Sequence, residues 1–219
     1  MLLTKGQHTA ILLIMLGTPN RDRIAERREA TRREILDAAW EVAREQGLSQ
    51  ITLRAVATRV GMQAPSLYSH FASKNAIYDA MFAHAWTDCH ENMLAAEERF
   101  AAEGGASTPR ATLRLNARTF FDFAVSDLAR HQLMNQRTVP GFEPTADAYA
   151  PAVVTLEAFK KRLRTLGVKR QQDADLFVAV VGGLVNAQLA NDPGGTRWAR
   201  LVDRAVDMFA NDVGLPQDR

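Results

Sequence analysis

Apolar residues recur along most of the chain at the spacing of an α-helix. Ile35, Ala39 and Val42 follow one another at intervals of four and three residues, which is one face of an amphipathic helix over about residues 29–46, ended by Gly47. No segment alternates apolar and polar residues between turn-forming residues, as a half-buried strand would. We therefore predict an all-α fold with about nine helices.

Helix caps and helix breakers set the bounds of the other predicted helices. Thr52 can cap a helix over 53–59, and Ser73 can cap a long helix over 74–102. Between them, a helix over 64–71 carries Pro65 in its first turn, where proline is tolerated. After a break at Gly104-Gly105, further helices are predicted at about 109–128, 131–135, 146–166, 172–190 and 196–213.

No obvious linker separates two domains. Because the long helix over 74–102 continues from a small head into a larger body, we place the boundary inside it and predict a head of residues 21–77 and a body of residues 78–219. Residues 1–20 are predicted to be a disordered leader or to precede the true start of the protein. Their apolar run, 10–16, is much shorter than the roughly 20 residues of a membrane span, so no membrane contact is predicted.

The composition is that of a globular protein. Of 219 residues, 47% are apolar and 24% are charged, which argues against a fibrous or mainly disordered chain. Cys89 is the single cysteine, so an intrachain disulfide and a four-cysteine zinc site are both excluded. A reducing, cytoplasmic location is the simplest interpretation.

The net charge of +2 is too small to indicate a partner, but the charges are unevenly distributed. Residues 48–75 contain no acidic residue, although the chain has 25, and they include Arg54, Arg59 and Lys74. A surface without carboxylates suits a polyanion such as a nucleic acid. Upstream, six arginines add positive charge that three acidic residues partly offset: Arg21, Arg23, Arg27, Arg28, Arg32 and Arg33.

The spacing of two short helices in this region indicates DNA as the polyanion. A helix over 53–59, a tight turn containing Gly61 and a helix over 64–71 form the helix-turn-helix pattern, whose second helix enters the major groove. Val56, Val60 and Leu67 are expected to hold the two helices together. The outward-facing side chains are predicted to be hydrogen-bonding ones: Gln63, Ser66, Tyr68, Ser69 and His70.

Residues 31–82 resemble the DNA-binding domain of the tetracycline-repressor (TetR) family of bacterial transcription regulators. The run Ser66-Leu-Tyr-Ser-His-Phe-Ala-Ser-Lys74 is similar to the family's Thr/Ser-Leu-Tyr-x-His/Tyr-Phe-x-x-Lys signature, and segments 35–40, 51–57 and 60–62 also match. One departure is Gln63, a poor helix cap where the family usually has Ser or Thr. The resemblance implies a helical body that binds a ligand and a second copy.

The resemblance also implies roles for residues of the head. Thr52, Ser66, Tyr68 and Lys74 are expected to contact DNA phosphates, since hydroxyls and an ammonium near helix N-termini suit that role. Arg54 is the residue best able to bind O6 and N7 of a guanine. The other candidates for base contacts are Gln63, Ala64, Pro65, Ser69 and His70.

A ligand pocket in the body is predicted from its aromatic and apolar residues. Pockets combine an apolar lining with a few polar groups, and Asn116 or Tyr149 can supply the latter. Ordinary core packing explains each of these residues equally well. The pocket candidates are Trp86, Phe120, Phe123, His131, Met134 and Phe177.

A dimer interface is predicted in the last two helices. The helix over 172–190 is apolar almost all round, and its Gly182-Gly183 pair suggests close approach of another backbone. Together with the final helix it can form a four-helix bundle with a second copy; the alternative is a core helix within one chain. The candidates are Phe177, Val181, Gly182, Gly183, Val185, Trp198, Val202, Val206 and Phe209.

Neither an enzyme nor a metal site is predicted. His90-Glu91 begins a zinc-protease-like motif, but position 94 is leucine, and His84 with Asp88 supplies fewer ligands than zinc needs. The sequence therefore predicts a repressor without a cofactor. It is expected to bind a palindromic DNA operator as a homodimer and to be released by a small lipophilic or aromatic ligand. The alternatives are a ligand that acts as corepressor and a DNA-binding regulator without a ligand.

Overall fold

The computed structural model describes the backbone of residues 19–105 and 108–218, and the side chains of these segments from residue 23 onward. Within them the chain forms nine α-helices, two 3₁₀ turns and no strand, which confirms the all-α fold. The predicted leader lies outside the described residues except for Pro19 and Asn20, which belong to the first helix. The helices are α1 Pro19–Gln46, α2 Leu53–Val60, α3 Ala64–Tyr68, α4 Lys74–Ala102, α5 Pro109–Val125, α6 Leu128–Asn135, α7 Ala146–Thr165, α8 Gln171–Asn191 and α9 Val202–Asp212.

The predicted caps form as hydrogen bonds. The side chains of Thr52, Ser73 and Thr108 accept a hydrogen bond from the backbone N–H three residues later, at the starts of α2, α4 and α5. Gln63 makes no such bond at the start of α3. A polar hydroxyl before a helical run was thus a reliable start signal in this chain.

Several predicted helix bounds were wrong. The first helix begins at Pro19 rather than near 29, because residues 23–30 are exposed and carry no apolar stripe. The helix from Ala64 ends at Tyr68 rather than at 71, followed by a turn in which the Ser69 hydroxyl donates to the Ser66 carbonyl. The helix from Pro109 ends at Val125, since Asp127 caps a separate helix, α6. The last α-helix begins at Val202, not at 196.

The late start of α9 has a visible cause. Gln188 on α8 accepts hydrogen bonds at its side-chain oxygen from the N–H groups of Trp198 and Ala199, and Asp192 accepts one from that of Arg197. These bonds hold the segment after Gly195 against the end of α8 in an irregular conformation. A 3₁₀ turn, Ala199–Leu201, then leads into α9.

Two apolar clusters fill the protein. The first contains Ile35, Val56 and Leu67 of the head and continues without a break into Tyr78 and Met81 of α4, and from there to α6. The second joins α5, α8 and α9. The predicted boundary at residue 77 thus falls inside a shared core, so head and body are joined by packed side chains as well as by α4.

An ion pair also joins the head to the body. Arg44, in the last turn of α1, donates to the Asp127 carboxylate at 2.8 Å. Asp127 also accepts the backbone N–H of Arg130 as the cap of α6. One carboxylate therefore fixes the start of α6 and ties it to the head.

The C-terminal segment folds back onto α5 through Arg110. This arginine is 2% exposed. Its guanidinium donates to the carbonyls of Pro216 and Leu215 at 2.6 and 2.7 Å and to the Asn211 side chain at 2.7 Å. A buried guanidinium is stable only when such acceptors surround it.

Helix α8 is the one helix in the described part of the chain that is long and apolar enough to cross a membrane, by length and composition alone. Core helices pass the same test. Phe177, Val181 and Val185 of α8 are buried against α5 and α9. One side of α8 thus lies in the protein core.

Candidate DNA-binding surface and ligand cavity

The two short helices of the head are packed as a helix-turn-helix. Val56 and Leu67 are fully buried between them, as predicted. Gly61 ends α2 in the left-handed conformation with a φ of 76°, which a residue with a side chain rarely adopts. The turn therefore depends on glycine at this position.

The outer face of α3 is exposed and hydrogen-bonding. Gln63, Pro65, Ser66 and Ser69 are exposed, and Tyr68 is 55% exposed although it is a large aromatic residue. An aromatic residue this exposed on a short helix is free to contact a partner. Ala64 is half-buried.

His70 was predicted to face outward, but it does not. It follows the end of α3, is half-buried, and its Nδ1 is buried without a hydrogen-bond partner among the described atoms. Its carbonyl accepts a hydrogen bond from Arg32. These contacts fit a residue that supports α3 better than one that reads a base.

The predicted phosphate contacts lie at the edges of the same surface. Thr52 is exposed and caps α2, which leaves its hydroxyl hydrogen available as a donor. Lys74 donates to the Ser49 carbonyl at 3.0 Å, and its ammonium lies 5.3 Å from the Tyr78 ring centroid. An ammonium has three donors, so this anchoring still leaves Lys74 able to bind a phosphate.

The two arginines of α2 have different surroundings. Arg54 is exposed. Arg59 instead binds the carboxylates of Glu41 and Glu45 on α1. Arg54 is therefore the arginine of α2 that remains available for base contact, whereas the charge of Arg59 is neutralised within the head.

The sequence did not reveal that α1 reaches the recognition helix. Arg28 donates to the carbonyl of Ser69 at 3.3 Å, and Arg32 donates to that of His70. The Arg32 guanidinium also lies 4.1 Å from the Phe71 ring centroid. The arginine-rich start of the chain had indicated positive charge, but its position relative to α3 required the structure.

A cavity of about 340 Å³ lies in the body between α4, α5, α7 and α8. This volume is at the lower end of the range found for ligand pockets, roughly 300–1,000 Å³. Its wall is mostly apolar and aromatic. The apolar and aromatic residues that line it include Trp86, Met93, Leu94, Phe120, Leu156, Phe159, Phe177 and Val181.

A connected group of polar side chains lies at one part of the cavity wall. Asn116, which is 5% exposed, donates to the Glu97 carboxylate at 3.3 Å and to the Thr112 carbonyl. Arg162 of α7 forms an ion pair with the same carboxylate. Sequence reasoning missed Glu97 and Arg162 because they are 65 positions apart and no motif joins them.

Three of the six predicted pocket residues line the cavity and three do not. Trp86, Phe120 and Phe177 line it, as do the polar candidates Asn116 and Tyr149. The prediction was wrong for the other three. Phe123 lies under the Arg130 guanidinium, 3.7 Å from its ring centroid, His131 binds Asn186 of α8, and Met134 is buried in the first core cluster.

The residues weighed as metal ligands do not converge. His84 pairs with Asp88 on the surface at 3.2 Å, and this carboxylate raises the pKa of His84. Cys89 is 1% exposed and lines the cavity instead, and burial raises the pKa of its thiol to about 12. Among the described residues no group of three or more His, Cys, Asp or Glu side chains is placed to hold a metal.

The predicted dimer residues divide into two groups. Six are buried inside the protomer: Phe177, Val181, Val185, Val202, Val206 and Phe209. These residues belong to the protomer's own core, so the prediction that they face a second copy was wrong. Trp198 and Gly182 are half-buried, and Gly183 is exposed.

The sides of α8 and α9 that face away from the protomer's core carry exposed apolar residues. Leu176 and Met208 are 47% and 63% exposed, and Leu201 is 37% exposed. On α8 the exposed positions Leu176, Ala179, Gly183 and Ala190 recur at intervals of three, four and seven residues and so lie on one face. We call this surface of α8 and α9 the outer stripe.

Comparison with known proteins places these sites in a family context. Residues 35–81 match the family model described as bacterial regulatory proteins, tetR family. The chain is 34% identical over 189 residues to the class A tetracycline repressor from transposon 1721 of Escherichia coli, covering 80% of this chain and 79% of that protein. The matches to the class D and class H tetracycline repressors span only 40% of each of those proteins.

Solved structures share the fold along most of the chain. A TetR-family transcription regulator from Marinobacter aquaeolei has a TM-score of 0.62 at 17% identity, covering 85% of this chain and 97% of that one. The regulator FadR from Bacillus subtilis, solved with stearoyl-CoA, has a TM-score of 0.59 at 16% identity, covering 80% and 96%.

Proposed function

Because this chain belongs to the TetR family of bacterial transcription regulators, we propose that it is a repressor released from DNA by a small apolar ligand. It binds a palindromic operator as a homodimer through α3, and the ligand occupies the cavity of the body. The relatives are transcription regulators, and we assign this chain no enzymatic activity. It acts in the cytoplasm, where its operator is.

Helix α4 is the observation that carries the proposal. Lys74, at its first turn, borders the DNA-binding surface, and Trp86, Met93 and Glu97 of the same helix line the cavity. The 29 residues of α4 span about 43 Å at 1.5 Å each. A ligand that tilts the cavity end of this rod changes the position of the recognition helix.

The DNA-binding part of the proposal predicts two kinds of variant. Arg54→Ala is expected to relax preference at one base pair and to weaken operator binding by about 1–3 kcal/mol, because it removes a bidentate donor. Lys74→Ala removes a phosphate contact and is expected to weaken binding to all sequences alike. Selection of bound sequences from a random duplex pool, followed by fluorescence anisotropy, measures both effects. A selected site without dyad symmetry, or wild-type preference in Arg54→Ala, would contradict it.

The outer stripe supports a dimer built from α8 and α9. Its small residues, Ala179, Gly183 and Ala190, allow two copies of α8 to approach closely, while Leu176 and Met208 supply apolar area. Two helices from each copy then form a four-helix bundle. This proposal keeps the two helices that the sequence predicted for the interface. It places the contact between copies on their exposed faces instead of on the faces buried in the protomer.

The cavity favours a ligand with an apolar body and at least one hydrogen-bond acceptor. Its wall is largely aromatic, and the polar side chains of Asn116, Glu97 and Arg162 lie at one part of it. A ligand acceptor can pair there with the Arg162 guanidinium, which has donors beyond its ion pair with Glu97. The binding free energies of ligand and DNA are linked. A ligand that weakens DNA binding therefore binds the protein–DNA complex more weakly than it binds the free protein.

A variant that fills the cavity tests the ligand site. Met93→Trp adds bulk to the cavity wall and is expected to abolish the thermal shift given by any hit from a screen of lipophilic compounds, while DNA binding persists. Val154→Trp is the control, because Val154 is 56% exposed and does not line the cavity.

The effect of a hit on operator affinity, measured by anisotropy, gives the direction of the switch. Weaker binding supports release. Tighter binding would make the ligand a corepressor, and unchanged affinity at saturating ligand would leave a regulator without a switch.

A further inference from the structure

The cavity of the body has a charged residue at its rim. Arg162, in the last turn of α7, lines the cavity, and its side chain is 42% exposed. Leu94 and Leu156 also line the cavity and are 48% and 41% exposed, so the cavity is open to solvent near them. Other parts of the wall are buried and aromatic, such as Phe177. The cavity therefore joins an apolar interior to a charged opening.

Positive charge predominates in this part of the chain. Basic residues are common at the C-terminal ends of helices, where they face the negative end of the helix dipole. It is therefore the position of Arg162 in the cavity wall that singles it out, while its neighbours add an attractive field for an anion. Residues 160–170 contain no acidic side chain and six basic ones: Lys160, Lys161, Arg162, Arg164, Lys169 and Arg170.

The carboxylate beside Arg162 is already compensated. Glu97 accepts hydrogen bonds from Arg162 and, at 3.3 Å, from the Asn116 side chain, and it is only 21% exposed. Arg162 carries five donors, and among the described residues its guanidinium donates only to Glu97. The pair thus offers spare donors rather than a spare negative charge. This favours an anionic ligand over a cationic one.

We propose that the ligand is an organic acid, whose apolar body fills the cavity and whose carboxylate binds the Arg162 guanidinium at the rim. A planar guanidinium matches a carboxylate through two parallel hydrogen bonds. Because Arg162 is partly exposed, the carboxylate keeps part of its hydration, which lowers the cost of burying a charge. The inference rests on the proposed function, in which a small ligand occupies this cavity.

The same contact connects the charge of the ligand to α4. Glu97 belongs to α4 and Arg162 to α7, so their ion pair joins the two helices near the end of α4 opposite to Lys74. A ligand carboxylate competes with Glu97 for the guanidinium and repels its negative charge. Binding of an acid therefore weakens the link between α4 and α7, which gives a physical cause for a tilt of α4.

Probes that differ only in their polar group test the proposal. Octanoate, decanoate, dodecanoate and phenylbutanoate are compared with the alcohols and primary amines of the same carbon skeletons by isothermal titration calorimetry on the full chain. The acids are expected to bind more tightly than their alcohols and amines. Arg162→Gln is expected to weaken binding of the acids about tenfold, and that of the alcohols much less. Glu97→Gln removes the competing charge and is expected to tighten binding of the acids about fivefold.

Arg164→Gln is the matched control. Arg164 lies in the same turn of α7, is exposed and does not line the cavity, so its replacement removes the same charge without touching the site. This variant is expected to bind the acids as the wild-type protein does. Equal losses in Arg162→Gln and Arg164→Gln would overturn the proposal. If thermal unfolding shows that Arg162→Gln is not folded, Glu97→Gln decides, and unchanged or weaker binding of the acids by that variant overturns it.

The three series of probes also separate this inference from the proposed function. Acids that bind no more tightly than their alcohols, or binding of alcohols or amines alone, would overturn the inference but leave the ligand site in place. Binding of no probe from any series would contradict both.

Discussion

Replacing Gly183 by arginine is expected to give a folded monomer that binds its operator about 10²–10⁴ times more weakly than the dimer. Gly183 is exposed on α8, and apart from the adjacent residues and the neighbouring backbone of α8 itself, no described atom lies within 4 Å of the Cβ that a substitution would add. Within the protomer the change removes a helix-disfavouring glycine, which stabilises the helix by up to about 1 kcal/mol. Across a two-fold axis, however, the arginine meets the same patch of the second copy, with its bulk and like charge.

Gly183→Ala is the control, because alanine also improves helix propensity but adds only a methyl group. It is expected to remain a dimer. Light scattering after size-exclusion chromatography gives the mass of each variant, thermal unfolding gives its stability, and anisotropy gives its DNA affinity. A stable Gly183→Arg dimer with full operator affinity would show that the outer stripe is not the interface.

Replacing Arg110 by methionine is expected to lower the free energy of unfolding by about 1–3 kcal/mol. The substitution keeps the apolar stem but removes the guanidinium that binds the carbonyls of Leu215 and Pro216. The buried Leu215 carbonyl then loses a charged donor without gaining access to water. The packing of Leu215, which is 8% exposed, is expected to loosen as well.

Arg118→Gln provides the comparison on the same helix. Arg118 binds Asp203 of α9, but its side chain is 55% exposed, so water replaces the lost contact and the expected cost is below about 1 kcal/mol. Urea unfolding followed by circular dichroism measures both variants. Equal losses for Arg110→Met and Arg118→Gln would show that burial of Arg110 contributes nothing.

The helices were predictable wherever their signals are local. Thr52, Ser73 and Thr108 cap helices that begin at the next residue, because a cap depends only on the few residues that follow it. The early start of α1 was missed since an exposed helix has no apolar stripe. The short helix α6 was predicted around 131–135, but its start at Leu128 was missed because Asp127 was not recognised as a cap.

The residues of the candidate sites were also predictable only where they lie close together in the sequence. The predicted recognition surface comes from one continuous segment, so candidates such as Arg54 and Tyr68, both exposed, could be named from the sequence. The cavity is lined from helices far apart in sequence, and the pairing of Glu97 with Arg162 leaves no local trace. Six residues predicted to face a second copy lie in the protomer's own core, because an almost wholly apolar helix does not show which side is covered by its own chain.

The Arg110 contacts can form only at the end of synthesis. The helix-turn-helix packs residues that lie within one short stretch of chain, so its helices can form while translation continues. The body cannot close α5 onto its C-terminal segment until residues 215 and 216, more than 100 positions after Arg110, have left the ribosome. The nascent chain therefore holds its helix-turn-helix before α5 can close onto the C-terminal segment.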